Sequence, residues 1–493
     1  MTSRANKPAP SAGANHAETT ATTGALITSD LPSHTRTVMG WGRTIAVSAA
    51  AIEPTSPSQV EPLLASTGRN EVQPASRGII PRGLGRSYGD AAQRAGGLVV
   101  EMTSLDRLRA WDPASGDVTV DAGTSLDALM RSFLPRGWFV PVTPGTRYVT
   151  VGGAIAADVH GKNHHHDGSF GTHVRSLRIA TPGCIQDLSP EADCSPDRFW
   201  ATVAGMGLTG IILEATLRLV PVETAFMRVE TSRENDLDAT MASLEEGDAR
   251  YRYSVAWLDC LARNSHLGRS VITLGEHASR DELPSDHAED PLAFSPTTRL
   301  SLPVAPPRGT LNSATVRLFN SLWFHRAPRV ASTTVEPLAS FFHPLDGVRS
   351  WNLLYGKLGF LQYQIVVPFG AEDTIRKVLE DLVAARCPSF LAVLKRFGPS
   401  SPAPLSFPMP GWTLALDIPR GPRELHKLLN HFDDIVASAG GRVYLAKDAR
   451  LQPEHLAAMY PQLEKWRETR SLMDPTHIMR SDLDARLHLA GKP

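Results

Sequence analysis

Cysteine is scarce in this 493-residue chain: Cys184, Cys194, Cys260 and Cys387 lie far apart, with no CxxC pair. That argues against a disulfide framework and against a structural zinc ribbon. An excess of positive charge is missing as well. Fifty Lys and Arg stand against 51 Asp and Glu, a formal net charge of −1, so a nucleic-acid surface built on phosphate neutralisation is not expected. Long hydrophobic runs are absent. The longest uncharged apolar stretch, Thr44–Ile52, is far short of the ~20 residues that span a bilayer. No basic segment leads into an apolar one near the start, so no secretory signal peptide is read there. What is present suits a globular chain of two or three domains, with 42% hydrophobic and 20% charged residues.

Residues 1–33, rich in Ala, Thr, Ser, Asn and Pro, have nothing to bury and are expected to be a disordered tail. From Val72 to about Val222, short β-branched strands are cut by glycines. Gly97–Glu101, Val118–Ala122, Val149–Ile155 and Gly210–Val220 read as strands, and Ser125–Phe133 and Pro196–Val203 as helices. In a second block Tyr251–Leu258, Gly359–Val367, Phe390–Phe397 and Trp412–Ile418 read as strands. Ala371–Arg386 and Pro422–Ala439 there read as amphipathic helices, which implies a sheet covered on one face. Residues 273–333 have weak periodicity and are expected to form a mobile insertion. Within them, Val316–Phe319 and Trp323–Arg326 mix aromatic and basic residues as interfacial segments do; a surface helix packed on its own domain is the alternative. A helix over Pro453–Arg470 closes the chain. The class expected is α+β, with a first domain over 34–224, a second over 225–440 and a return to the first over 441–493.

Three glycine stretches carry the chemistry. In Pro81–Asp90, PRGLGRSYGD, Gly83, Gly85 and Gly89 permit positive φ and leave backbone N–H groups facing one concavity, a nest for a pyrophosphate. It is neither a P-loop nor a GxGxxG turn. In Thr143–Gly171, Gly145, Gly152, Gly153 and the alanines after them would let a flat ring lie against the main chain. His160, His164, His165 and His166 in that stretch could be metal ligands, but adjacent side chains diverge, so a polar loop is preferred and no metal is expected. Gly205–Leu219 is a tight turn followed by a strand.

In this order and spacing, the three stretches resemble the vanillyl-alcohol-oxidase, or PCMH-type, FAD-binding family. RGLGRSYGD, HGKNHH, GSFGTHVRS, FWATVAGMGLTGI, FLQYQ, APLSFPMPGW, AKD and SDLDARL resemble, within it, the group of decaprenylphosphoryl-β-D-ribose 2-oxidases. The match runs from about residue 37 to the C-terminus. The resemblance implies a two-domain fold that binds FAD. It assigns Arg82, Gly83, Leu84, Gly85, Arg86, Ser87, Tyr88 and Gly89 to the first cofactor loop. Gly145, Thr146, Thr150, Gly152, Gly153, Ala157 and His160 would run along the flavin, with Ile212 and Tyr444 completing the site. Many members carry a covalently linking His where Arg86 stands here, so non-covalent FAD is expected.

The reaction implied is oxidation of the ribose C2 hydroxyl of a decaprenyl-phosphate sugar to the 2-keto sugar. A short-chain NAD(P)H-dependent reductase partner would complete the epimerisation to the arabinose lipid used in cell-wall arabinan synthesis. Lys447 is expected to partner the hydroxyl, with Tyr88 as a proton relay or simply a stacking residue. Lys162, His160, Gln362, Gln364, Lys395 and Asp417 match residues that line the family pocket. Trp257 would shape an apolar wall, although a lone Trp on a strand also suits a core. Ala415 and Thr413 stand where the family commonly has Cys and Asn, which alters the pocket's shape but removes no acid, base or hydride acceptor. A sugar-lactone or alditol oxidase of the same fold is the alternative. The substrate implies association with a membrane surface, and the family implies the cell envelope, on its periplasmic side or else at the cytoplasmic membrane face.

Overall fold

The computed structural model describes residues 31–66, 75–191, 196–296, 300–301, 306, 312–422 and 424–491. Most of the expected tail, residues 1–30, lies outside these. Its last part does not behave as a tail, because Leu31 is buried in a core with Ile52, Leu63 and Leu98.

Three sheets organise the chain. The first runs His34–Met39, Ala46–Ile52, Leu98–Glu101, Ile79–Arg82, antiparallel at its first pairing and parallel at the other two. Leu98, Val99 and Val100 are fully buried, the continuous apolar run that a parallel strand covered on both faces requires. The second sheet is antiparallel, in the order Leu108–Asp112, Asp117–Asp121, Ile211–Arg218, Val174–Thr181, Cys184–Leu188. The third has eight antiparallel strands: Ser332–Pro337, Phe226–Glu234, Ser270–His277, Tyr253–Leu258, Ala392–Phe397, Gly411–Pro419, Phe360–Pro368 and Arg442–Val443.

The two faces of the third sheet divide by the period of two. On one face Tyr363 packs on Phe432 of the helix Leu425–Ser438, and the helices Leu237–Asp248 and Glu372–Ala384 lie against neighbouring strands. The other face carries Gln362, Gln364, Val393, Lys395, Ala415, Val255, Trp257, Val271 and Thr273, all lining one cavity. The architecture is α+β, as its helix and strand content and sheet order show.

Three elements depart from expectation. Val149–Ile155 contains no strand; Val151–Ala156 is a short helix capped by Thr150, whose Oγ1 accepts from Gly153 N at 3.2 Å, while Val151 N and Gly152 N donate to Thr124 O and Ala122 O at 2.8 Å each. The β-branched run that suggested a strand is a cap and its first turn. The expected mobile insertion over 273–333 has ordered parts among its described residues. They begin inside the strand Ser270–His277, which pairs on both sides, and hold the helix Ser313–Arg326 with Val316, Asn320 and Phe324 buried. Pro453–Arg470 is two helices, Pro453–Met459 and Leu463–Met473, because Pro461 disfavours helical backbone at Tyr460. Among the described residues no helix is long and apolar enough to cross a membrane.

Candidate functional site

A cavity of about 1030 Å³ lies between the glycine loops and the free face of the eight-stranded sheet. The run Arg82–Tyr88 lines it, as do Gly145, Thr146, Thr150, Gly152, Gly153, Ala157, His160, Ile212 and Tyr444. From the sheet and adjoining loops come Lys162, Trp257, Gln362, Gln364, Lys395, Ala415 and Lys447. Of the cofactor, substrate and catalytic residues named from sequence, Gly89 and Asp417 do not line it; nor does Thr413, expected to alter the pocket's shape, whose Oγ1 instead accepts from Gln364 Nε2 at 3.0 Å and donates to Ile365 O at 2.8 Å. Gly89 serves packing instead: a Cβ there would stand 1.8 Å from the carbonyl oxygen of Asp448. That contact draws the first loop onto the segment carrying Lys447, where Tyr88 N also donates to Ala446 O at 3.1 Å.

Asp417 acts from behind the wall. Its Oδ1 accepts from Gln362 Nε2, and its Oδ2 accepts from Tyr355 OH at 3.3 Å. Burial raises the Asp417 carboxyl to about 6, and burial together with the field of Asp417 holds the Tyr88 phenol well above its usual range. Tyr88 is therefore a phenol near neutral pH. It can donate a hydrogen bond, but it cannot serve as a resting base.

Three lysines share the cavity. Burial lowers Lys162 to about 8, Lys395 to about 7 and Lys447 to about 8, the Lys395 shift being deepened by the other two cations. Lys162 Nζ donates to Phe341 O and sits 4.0 Å from the centre of that ring. Lys395 Nζ donates to Gly161 O at 3.4 Å. Lys447 Nζ lies 5.5 Å from the Tyr88 ring centre. The lysine ion pairs of the described residues belong elsewhere, to Lys377, Lys427 and Lys465. Asp417 bears on Lys447 and Glu336 on Lys162 from outside ion-pair range; cavity-lining ammonium groups outnumbering their carboxylates and held in no close ion pair are suited to an anion.

The fit to FAD rests on the loops and on unpartnered atoms. Gly83 approaches Thr150 so closely that a Cβ would lie 2.2 Å from its Oγ1, Gly85 has φ +63°, and the Cβ position of Gly145 is open. Gln362 Oε1, Gln364 Oε1 and His160 Nδ1 are buried with no partner in the protein. Gln364 Nε2 lies 3.0 Å from His160 Nε2, and burial keeps this ring neutral. Such a mixture of carbonyl acceptors and a ring nitrogen, with a glycine-lined floor, fits a flat heteroaromatic system. Arg86 lies over Trp41, its guanidinium carbon 3.9 Å from the ring centre. A guanidinium stays charged and offers no nucleophilic nitrogen. Acid precipitation should accordingly release all flavin into the supernatant, and colour kept in the pellet would contradict a non-covalent site.

Several contributors escaped the sequence reading. Asp346 accepts from Thr146 Oγ1 at 2.7 Å and from Arg147 N at 2.9 Å, and Thr143 Oγ1 bonds His343 Nε2 at 2.8 Å. They pin the loop 143–147 from almost 200 residues away, which no local pattern announces. The histidines after His160 have separate structural partners: His164 Nδ1 accepts from Gly398 N, and His165 Nε2 lies 3.0 Å from Tyr251 O.

Comparison with known proteins agrees with this geometry. A family model described as an FAD binding domain matches residues 48–184, and one described as D-arabinono-1,4-lactone oxidase matches residues 418–487. The chain is 44% identical over 94% of its length to the decaprenylphosphoryl-β-D-ribose oxidase of Mycolicibacterium smegmatis, all of which is covered. It is 40% identical, over 74% of its length, to the whole of an uncharacterised protein of Streptomyces coelicolor. A mitochondrial L-galactono-1,4-lactone dehydrogenase of rice is 30% identical over 38% of this chain and 31% of its own. With a glycine-floored cavity lined by three lysines, an FAD-binding-domain match and a relative matched from end to end, the chain belongs to the FAD-dependent family of the decaprenylphosphoryl-β-D-ribose oxidases.

Proposed function

We propose that this protein oxidises the C2 hydroxyl of decaprenylphosphoryl-β-D-ribose to the 2-keto sugar. The observation that carries the reading is the set of three lysines that line the same cavity as the flavin loops without closing an ion pair there, Asp417 standing near Lys447 and Glu336 near Lys162. Lys162 and Lys395 are assigned to the phosphodiester, and Lys447 to the sugar hydroxyl. FAD, when bound, supplies the acceptor for the hydride that leaves C2. The hydroxyl proton passes to neutral Lys447, leaving a C2 carbonyl, and Asp417 behind it steadies the ammonium so formed. Gln362 and the Tyr88 phenol fix the donor side of the pocket, while Trp257 and Ala415 shape its apolar wall. Residues 34–224 and 441–493 are assigned to the cofactor and 225–440 to the substrate. A short-chain NAD(P)H-dependent reductase would take the keto sugar onward, at the cell envelope on its periplasmic side or at the cytoplasmic membrane face.

Stopped-flow reduction of the flavin by the lipid-phosphate ribose, set against a free sugar lactone, tests this reading. Bleaching by the lactone alone would instead favour a lactone oxidase, the second reading to which the match over residues 418–487 points.

The lysines also set a pH dependence. Lys395, at about 7, and Lys162, at about 8, lose charge as pH rises, so KM should climb across that interval. Lys447, at about 8, becomes able to accept a proton over the same rise, so the limiting rate of flavin reduction should increase. A plot of kcat/KM is then bell-shaped with its maximum between about 7 and 8, and a KM constant from pH 6 to 9 would contradict the phosphate role.

A further inference from the structure

Eleven large hydrophobic side chains are exposed among the described residues, and five of them, Leu318, Phe319, Leu322, Trp323 and Val330, fall within thirteen consecutive positions. Four sit on the helix Ser313–Arg326. Its inward stripe is already satisfied: Asn320 Nδ2 donates to Asp259 Oδ1 at 2.7 Å, and the guanidinium carbons of Arg233 and Arg269 lie 5.0 and 4.7 Å from the Phe324 ring centre. The outer face is therefore not a core surface awaiting its own domain. Leu318 and Leu322, one turn apart, are 63% and 65% exposed. Phe319 and Trp323, with ring centres 6.1 Å apart, are exposed and also line the cavity, which puts them at its mouth.

Charge gives an independent pointer. From Pro291 to Val335 there is no Asp or Glu, and five arginines are the only residues of fixed charge. At the chain's average of 51 acids in 493 residues, such a stretch would hold about five. Arg317, Arg326 and Arg329 are exposed beside the leucines. A free phosphate would use the arginines but not the leucines. An anionic leaflet uses both, with apolar side chains in the interface and cations on the headgroups.

We propose that the helix Ser313–Arg326, together with Val330, seats the cavity mouth on an anionic phospholipid surface. A lipid-phosphate sugar then passes from leaflet to cavity beside Phe319 and Trp323 without its chain crossing water. The purpose of this contact rests on the lipid-linked substrate proposed above.

The test uses full-length, FAD-loaded protein floated with vesicles of phosphatidylcholine, alone or mixed equally with phosphatidylglycerol. Wild type should float with the mixed vesicles and far less with the neutral ones. Leu318→Ser/Leu322→Ser/Val330→Ser and, separately, Arg317→Glu/Arg329→Glu should each lower binding to the mixed vesicles by roughly tenfold or more. None of these five residues lines the cavity, so both variants should bleach at wild-type rate with a short-chain, water-soluble prenyl-phosphate ribose. Equal flotation of wild type and variants overturns the docking surface. So does a change confined to self-association in size-exclusion chromatography, which would make the face a contact between copies. Flotation as expected without bleaching by either substrate leaves the surface standing and removes the substrate reading.

Discussion

Lys447→Ala should keep its FAD and lose substrate-driven bleaching by about 10²–10⁴-fold, the usual worth of a positioned proton acceptor. Retention of the flavin is expected because the contacts that hold the first loop to this segment are main-chain ones: Tyr88 N to Ala446 O, and Gly89 against the carbonyl of Asp448. Lys447→Arg separates the two possible roles of the side chain. A guanidinium restores the positive charge beside Asp417 but cannot accept a proton, so recovery by Arg would show that charge alone matters. Stopped-flow at saturating substrate measures both variants. A rate within threefold of wild type in the alanine variant would remove Lys447 from the chemistry.

The largest effect on stability is expected at Asp158, which lies two residues before His160. Its Oδ2 accepts from the hydroxyls of Ser169, Ser401 and Ser406 at 2.8, 2.9 and 2.6 Å, and its Oδ1 accepts from Gly171 N at 2.9 Å. The carboxylate is completely buried, and no cation is among its hydrogen-bond partners. Burial raises its pKa, while these donors pull it back. Asp158→Ala leaves three hydroxyls and an N–H unsatisfied in the interior, at a cost of about 3–5 kcal/mol. The variant should melt several degrees lower and release flavin on heating earlier than wild type. A melting point within 1 °C of wild type, followed by flavin fluorescence, would refute this. Ser406→Ala removes one donor only and should cost about 1 kcal/mol.

Much of this was legible in the residues because local rules and tertiary demands coincide there. The strands Phe360–Pro368 and Gly411–Pro419 have bounds within two residues of those read from sequence. Their buried turnless runs leave few other options. The run Pro81–Tyr88 does line the cavity, with positive φ at Gly85 but not at Gly83 or Gly89, and Lys162, Lys395 and Lys447 line the same cavity. What failed was of two kinds. Val149–Ile155 has the β-branched content of a strand, yet Thr150 takes the local choice by capping a helix. A cap and a strand residue look alike until the hydrogen-bond partner is known. Asp346, His343 and Tyr355 were invisible for the opposite reason: each acts on a residue 62 to 200 positions away, and one sequence carries no trace of such pairings. Phe324 reads as an interfacial residue beside Trp323, but the helical period turns it inward while its neighbour faces out.

The cofactor loop is bordered by residues made nearly 400 positions later. Ile79 N donates to Ile478 O, Arg480 N donates back to Ile79 O, and Arg486 bridges Asp90 and Asp448 at 2.8 Å each. At 5–20 residues per second, a ribosome that has finished Asp90 needs roughly 20–80 s more to deliver Arg486. Through that interval the strand Ile79–Arg82 lacks its outer neighbour and Asp90 its guanidinium. The cradle around Ile79–Asp90 is thus completed only after residues 478–486 have been made, not within a nascent first domain.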